Sequence, residues 1–361
     1  MKYLKKKKHL SLWKVIVLDI LLLGVILLTF AFFHHGMDFI KTSIQQQQSV
    51  QNPTEPSETE PTEATEDLTQ PTEQTASVET TEATEATEPT EPDLRTEWQK
   101  KFEDKFTEDV VVTDNSYTSP TVSITIHTMA SKENGRPLTY YLADIYVASL
   151  DNFRSRFAYG EYRPYGAQDA VSLSKDANAI LAISGDFSTM QRSGFNVRNG
   201  EVIYADHNNT VCVLYKDGTM ETYDQGTYVI DDILARDPLH VWSFGPALLD
   251  ENGKVKSSYD AASGISGAHP RSAVGYFEPG HYCFIVVDGR QDHSHGLTIS
   301  ELAKVFEELG CKAAYNLDGG ATAVMLFNNE IFSHPSNGGR NVGDILFIAE
   351  SAATEEQEVT E

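Results

Sequence analysis

Apolar residues are unevenly spaced along the chain, and the spacing separates a membrane-like stretch from a globular one. Val15 to Phe33 is an almost unbroken run of Val, Leu, Ile and Phe. Its length approaches the roughly 20 residues that cross a bilayer core as one helix. Asp19 opposes insertion, but it stands near one end and the apolar residues around it outweigh it. The basic run Lys5 to Lys8 precedes this stretch, so the positive-inside rule places residues 1–14 in the cytoplasm and everything after Phe33 outside. The small-residue site of a removed signal peptide is missing, so the helix, residues 15–33, is expected to stay as an anchor.

Regular patterning returns only after residue 94. Glu97 to Phe106 predicts a short helix. Thr121 to Met129 alternates Val122, Ile124 and Ile126 with polar residues, as a half-buried strand does, and Thr139 to Ser149 is a second strand candidate. Ala179 to Ile183 is an apolar strand that runs into Ser184-Gly185-Asp186.

The most informative pattern starts at Tyr282. Tyr282 to Val287 predicts a buried strand that stops at Asp288-Gly289-Arg290. Leu302, Val305, Phe306 and Leu309 then fall at i, i+3, i+4 and i+7, Thr298 and Glu301 match a capping box, and Gly310 supplies a stop. Ala313 to Leu317 is the next strand and ends at Asp318-Gly319-Gly320. Such a strand-helix-strand unit joins parallel strands of one sheet, which puts Asp288 and Asp318 at the same C-terminal edge. For neighbouring or next-neighbouring strands the carboxylates lie roughly 5–10 Å apart, overlapping the separations used by glycosidases. The fold class expected is therefore α/β (α+β): one domain, residues 94–349, with a mixed sheet containing this βαβ unit.

Composition explains what lies between the two apolar regions. Residues 34–93 include repeats of Pro-Thr-Glu and Ala-Thr-Glu, and from Asn52 to Asp93 there is no aromatic residue, Lys or Arg. That segment cannot bury enough apolar surface to fold and is expected to act as a disordered, extended spacer. Residues 350–361 form a similar acidic tail. Much of the net charge of −25 lies in these two segments, and an acidic chain argues against nucleic acid as a partner. Three cysteines, Cys212, Cys283 and Cys311, make no disulfide framework.

Candidate chemistry gathers at the strand ends. Asp318, Asp288 and Asp186 each follow a strand and offer a carboxylate to a shared cleft. Glu301 is a further candidate, although its place in the capping box already accounts for it. Arg271, Arg290 and Arg340 each sit beside Gly or Pro, and three arginines together suggest an anion site, because guanidinium groups bind phosphate oxygens bidentately. His293 and His295 with Asp288 and Asp292 match no zinc signature, so a substrate-binding loop is expected there, with neither metal nor cofactor.

The order of short motifs resembles the phosphodiester glycosidase family, which includes N-acetylglucosamine-1-phosphodiester α-N-acetylglucosaminidases. The motifs are His269-Pro270-Arg271-Ser272-Ala273-Val274-Gly275, Val287-Asp288-Gly289-Arg290-Gln291, Leu297 to Ala303, and Asn316-Leu317-Asp318-Gly319-Gly320. Ala182 to Phe187, Gly194 to Gly200, Gly245 to Leu248, and Pro335 with Arg340-Asn341-Val342 extend the likeness over residues 179–348. Ser184 stands where Asn is common in the family, and Ala321-Thr322 where Gly or Ser are common. The resemblance implies hydrolysis of a sugar-1-phosphodiester, with Asp318, Asp288, Asp186 or Glu301 as the working carboxylates. It likewise implies a carbohydrate phosphodiester bound through Arg271, Arg290, Arg340, His269, Asn316, Gly319, Gly320 and Thr322. On an anchored, extracellular domain such a substrate is expected in cell-envelope glycans or exopolysaccharide. Two rivals are a non-catalytic module that binds anionic glycans, and a metal-dependent phosphodiesterase using Asp288, Asp292, His293 and His295.

Overall fold

The computed structural model describes residues 93, 95–259 and 263–351, which all belong to one compact unit. The expected cytoplasmic segment 1–14, membrane helix 15–33 and nearly all of both the spacer 34–93 and the tail 350–361 lie outside the described residues. Among the described residues no helix is long and apolar enough to cross a membrane.

In chain order the strands are β1 (Val111–Val112), β2 (Ser116–Thr118), β3 (Val122–Glu133), β4 (Arg136–Val147), β5 (Phe153–Phe157) and β6 (Leu181–Ser184). They continue with β7 (Phe195–Arg198), β8 (Glu201–Ala205), β9 (Val211–Tyr215), β10 (Met220–Tyr223) and β11 (Pro238–Trp242). The last six are β12 (Arg271–Glu278), β13 (His281–Val287), β14 (Ala313–Asn316), β15 (Met325–Phe327), β16 (Glu330–Ile331) and β17 (Asp344–Ile348). They form a seven-stranded sheet, β1-β2-β3-β4-β13-β12-β14, and two five-stranded sheets, β10-β9-β11-β7-β8 and β16-β15-β6-β17-β5.

The strand-helix-strand unit forms as the sequence predicts, but the expected mixed sheet does not. β12 pairs antiparallel with both β13 and β14, so β13 and β14 run the same way one strand apart. Every ladder among the described residues is antiparallel. The reason is the tight connection at Pro279-Gly280, which returns β12 into β13 as a hairpin before the crossover begins. A crossover long enough to carry a helix then clears the intervening strand.

The helix Ile299–Leu309 starts from the Thr298/Glu301 capping box and ends on Gly310 in the left-handed conformation. Its buried face, Ile299, Leu302, Ala303 and Phe306, packs with Ala273, Cys283, Ile285, Val287 and Ala314 from the sheet. A larger core that includes Val274, Phe284, Val286 and Tyr315 also contains Ile183, Trp242 and Met325 from the other sheets. Burial of this apolar surface, at about 25 cal/mol per Å², is the main force fixing the strand ends that carry the polar motifs.

Candidate active site

Register brings the quoted motifs to one edge. Arg271 at the start of β12 stands opposite Val287 at the end of β13, and Ala273 opposite Asn316 at the end of β14. His269-Pro270 therefore threads between Asp288-Gly289 and Asp318-Gly319. The fit needs glycine on both sides. A Cβ on Gly289 would stand 2.7 Å from the Pro270 nitrogen, and one on Gly319 would stand 2.6 Å from its carbonyl oxygen. The Gly320 amide donates to that same carbonyl at 2.9 Å.

Asp318 is held by what surrounds it. Its backbone amide donates to the Gly185 carbonyl at 3.0 Å, and the Ser184 hydroxyl reaches its carbonyl at 3.3 Å. The Thr322 hydroxyl lies 2.9 Å from Oδ2 and 2.7 Å from the Gly319 carbonyl, sharing one proton between two acceptors. Arg340 Nη2 is 3.6 Å from the same Oδ2, and the Asp318 side chain is 15% exposed. Burial raises its pKa from the ordinary 3.8 to about 6, against the opposing pull of Thr322 and Arg340.

Asp186 differs sharply. Its side chain is fully buried and ion-paired to Arg198 at 2.9 Å. It also accepts from the amides of Ser188 (2.9 Å) and Ser243 (3.1 Å) and from Asn196 Nδ2 (3.2 Å). Arg198 bonds Asp344 Oδ2 as well, through Nε at 3.1 Å and Nη2 at 2.9 Å. Burial pushes Asp344 up to about 7, while Arg198 pulls the other way. Two carboxylates around one guanidinium thus lock β6, β7 and β17 together beneath the edge.

Asp288 has a third environment. Its side chain is 1% exposed, and the His334 amide donates to Oδ1 at 2.9 Å. Around Oδ2 stand the Tyr141 hydroxyl at 3.0 Å, His293 Nε2 at 3.0 Å and His334 Nδ1 at 3.2 Å. The rival metal-dependent reading grouped Asp292 and His295 with Asp288 and His293, but the cluster that forms takes His334 with Asp288 and His293. Tyr141 on β4 and His334 carried no local signal. Long-range pairing of β4 with β13 brings Tyr141 there, opposite Val286.

The cationic candidates also divide. Arg271 is buried and donates to backbone carbonyls: Nε to Leu297 at 3.0 Å, Nη2 to Ile265 and Gly267 at 2.6 Å each. Burial and neighbouring Arg290 lower its pKa to about 10, so it stays charged at neutral pH. Arg290 adopts a left-handed backbone (φ 60°), with Nη2 3.3 Å from His269 Nδ1. Burial and these two arginines depress His269, leaving its ring neutral. Among the described residues no carboxylate lies within ion-pair distance of Arg271 or Arg290, so this corner carries unbalanced positive charge. Asn316 is fully buried and donates to the Gly245 carbonyl at 2.8 Å. Glu301 is committed to the cap: Oε2 accepts from Thr298 N and Oγ1 at 2.9 Å each, and Oε1 from Asn134 at 2.7 Å and Arg136 at 3.2 Å.

Residues 177–349 match the family model described as phosphodiester glycosidase. This segment belongs to the phosphodiester glycosidase family. The phosphodiester glycosidase domain has a structural neighbour in the zebrafish N-acetylglucosamine-1-phosphodiester alpha-N-acetylglucosaminidase catalytic domain auto-inhibited by its pro-peptide. That likeness has a TM-score of 0.54 at 21% identity, over 67% of this chain and 88% of the other. A hypothetical protein from Synechocystis matches with a TM-score of 0.50 at 12% identity, over 67% of this chain and 64% of the other. At such identities the likeness speaks for the fold. The SPbeta prophage-derived uncharacterized protein YomE of Bacillus subtilis (strain 168) is 27% identical over 191 residues, half of this chain but 30% of its own length.

Proposed function

We propose that the domain hydrolyses a sugar-1-phosphodiester at its anomeric carbon, with Asp318 as the general base. The observation that carries this reading is the setting of Asp318. It is a largely buried carboxyl raised to about 6, close to the pH at which a base works best. Beside it, Arg290, Arg340 and buried Arg271 offer positive charge to an anionic group.

The chemistry follows from the leaving group. A phosphate monoester departs as a stable anion, so neutralising its charge matters more than protonating its oxygen. Asp318 takes a proton from water as the oxygen attacks C1. The C1–O bond breaks with its electrons passing to the phosphate, which leaves as a monoester beside the arginines. Free sugar is the other product. Thr322 steadies the base through its contact with Oδ2. Asp186 and Glu301, with their acceptors filled, keep the frame in place.

Lys5 to Lys8 ahead of the apolar stretch Val15 to Phe33 support an anchored, extracytoplasmic domain, whose substrates then include glycosyl-phosphate material of the cell envelope or exopolysaccharide. The test incubates the purified full chain, wild type beside Asp318→Asn, with synthetic sugar-1-phosphodiesters, UDP-sugars and envelope glycans in ¹⁸O water. Free sugar carrying ¹⁸O, from wild type and not the variant, is the expected result. Label in the phosphate would replace this reading with P–O cleavage. Binding without turnover in both proteins would leave an anionic-glycan-binding module.

A further inference from the structure

We propose that Asp288, His293 and His334 form a binding site for one divalent transition-metal ion, zinc by the chemistry of its donors. Asp288 Oδ2, His293 Nε2 and His334 Nδ1 lie within 4.8 Å of one another. The two nitrogens stand 3.0 and 3.2 Å from the oxygen. In a tetrahedral zinc site with ligand bonds of about 2.0–2.1 Å, neighbouring ligand atoms are separated by roughly 3.3 Å. Small ring movements therefore seat the ion.

Burial and charge favour a cation here. The Asp288 side chain is 1% exposed, whereas those of His293 and His334 are 43% and 66% exposed. A buried carboxylate needs a counter-charge or a metal, and among the described residues no Lys or Arg lies within ion-pair distance of Asp288. Without an ion, the Tyr141 hydroxyl stands 2.6 Å from His334 Nδ1 and 3.0 Å from Asp288 Oδ2, so it faces a ring nitrogen and a carboxylate that also face each other at 3.2 Å. A metal takes the nitrogen lone pair and frees the Tyr141 hydroxyl to donate to Asp288 alone.

The carboxylate is already oriented for the task. The His334 amide holds Oδ1, Tyr141 flanks Oδ2, and Gln291 Nε2 donates to the His334 carbonyl at 2.6 Å. Supporting contacts of this kind fix the direction of metal ligands. Two imidazoles and one carboxylate without thiolate suit zinc or its first-row neighbours over magnesium or calcium. Three protein ligands leave a fourth position open on the exposed side, where water or an anionic oxygen can bind. Arg290 is two residues away in the chain, so the ion adds to the positive charge of this edge.

Binding is measured without substrate, so its outcome is separate from that of the hydrolase reading. The untagged full chain in detergent is stripped with chelator, dialysed, and titrated with Zn²⁺ alone by calorimetry, and with Co²⁺ alone by visible absorption. His293→Ala and His334→Ala are compared with His207→Ala, and thermal unfolding verifies that each variant is folded. One equivalent of Zn²⁺ per chain, visible Co²⁺ bands, and affinity lowered at least about 100-fold by either ligand variant but not by His207→Ala are expected. Less than roughly a tenth of an equivalent bound by wild type, or binding unchanged in folded His293→Ala and His334→Ala, would overturn the site.

Discussion

The Thr322 hydroxyl lies 2.9 Å from Asp318 Oδ2, on the same oxygen that faces Arg340 Nη2 at 3.6 Å. Both contacts favour the ionised carboxyl, and burial still outweighs them. Asp318 therefore holds a proton more tightly in the folded protein than in the unfolded chain, where its pKa is the ordinary 3.8.

That difference fixes a pH dependence. The stability contributed by proton binding is fully present below about pH 4 and is lost as the pH rises through about 6. Asp318→Asn removes the penalty of a buried charge and should stabilise the protein at pH 8 by roughly 2–3 kcal/mol while abolishing turnover. Urea unfolding at pH 4 and pH 8 measures the effect. A variant equally or less stable than wild type at pH 8 would show that Asp318 is not strained by burial.

Thr322 gives the second prediction. Its hydroxyl lowers the Asp318 pKa, so Thr322→Val should raise it. The acid limb of the kcat/KM profile should move to higher pH by roughly half a unit to one unit, since a single hydrogen bond contributes about 0.5–1.5 kcal/mol. A profile scaled down with its limb unmoved would mean that Thr322 does not touch the titrating group.

Much of this arrangement was legible in the sequence, and the missing parts share a cause. Period and capping located β13, the helix Ile299–Leu309 and β14, because those signals are local. The same local rules placed Asp288 and Asp318 at one edge, although β12, the one strand between β13 and β14, pairs antiparallel with both and leaves no mixed sheet. Register between distant segments is not local. It alone brings Tyr141 and His334 to Asp288, and Arg198 and Asp344 to Asp186. Arg271, expected as a phosphate ligand, also donates to three backbone carbonyls, contacts that no local signal in the sequence announces.

Arg198 carries the last prediction. Its side chain is 2% exposed between the fully buried carboxylates of Asp186 and Asp344, and it bonds both. Burial alone would lower the pKa of Arg198, yet the two carboxylates hold it above the ordinary value. Arg198→Met keeps much of the volume but leaves two carboxylates with no counter-charge, a change that costs about 3–5 kcal/mol in buried pairs. The loss should be greatest above pH 7, where Asp344 with its pKa near 7 would otherwise be ionised, and smaller near pH 5, where a proton can replace part of the missing charge. Adding Asp344→Asn should recover part of the stability at pH 8, because one of the two stranded charges is gone. Urea midpoints of the three proteins at pH 5 and pH 8 decide the matter. A single variant less than about 1 kcal/mol below wild type at pH 8 would mean that packing, and not this ion triad, holds the three strands beneath the site.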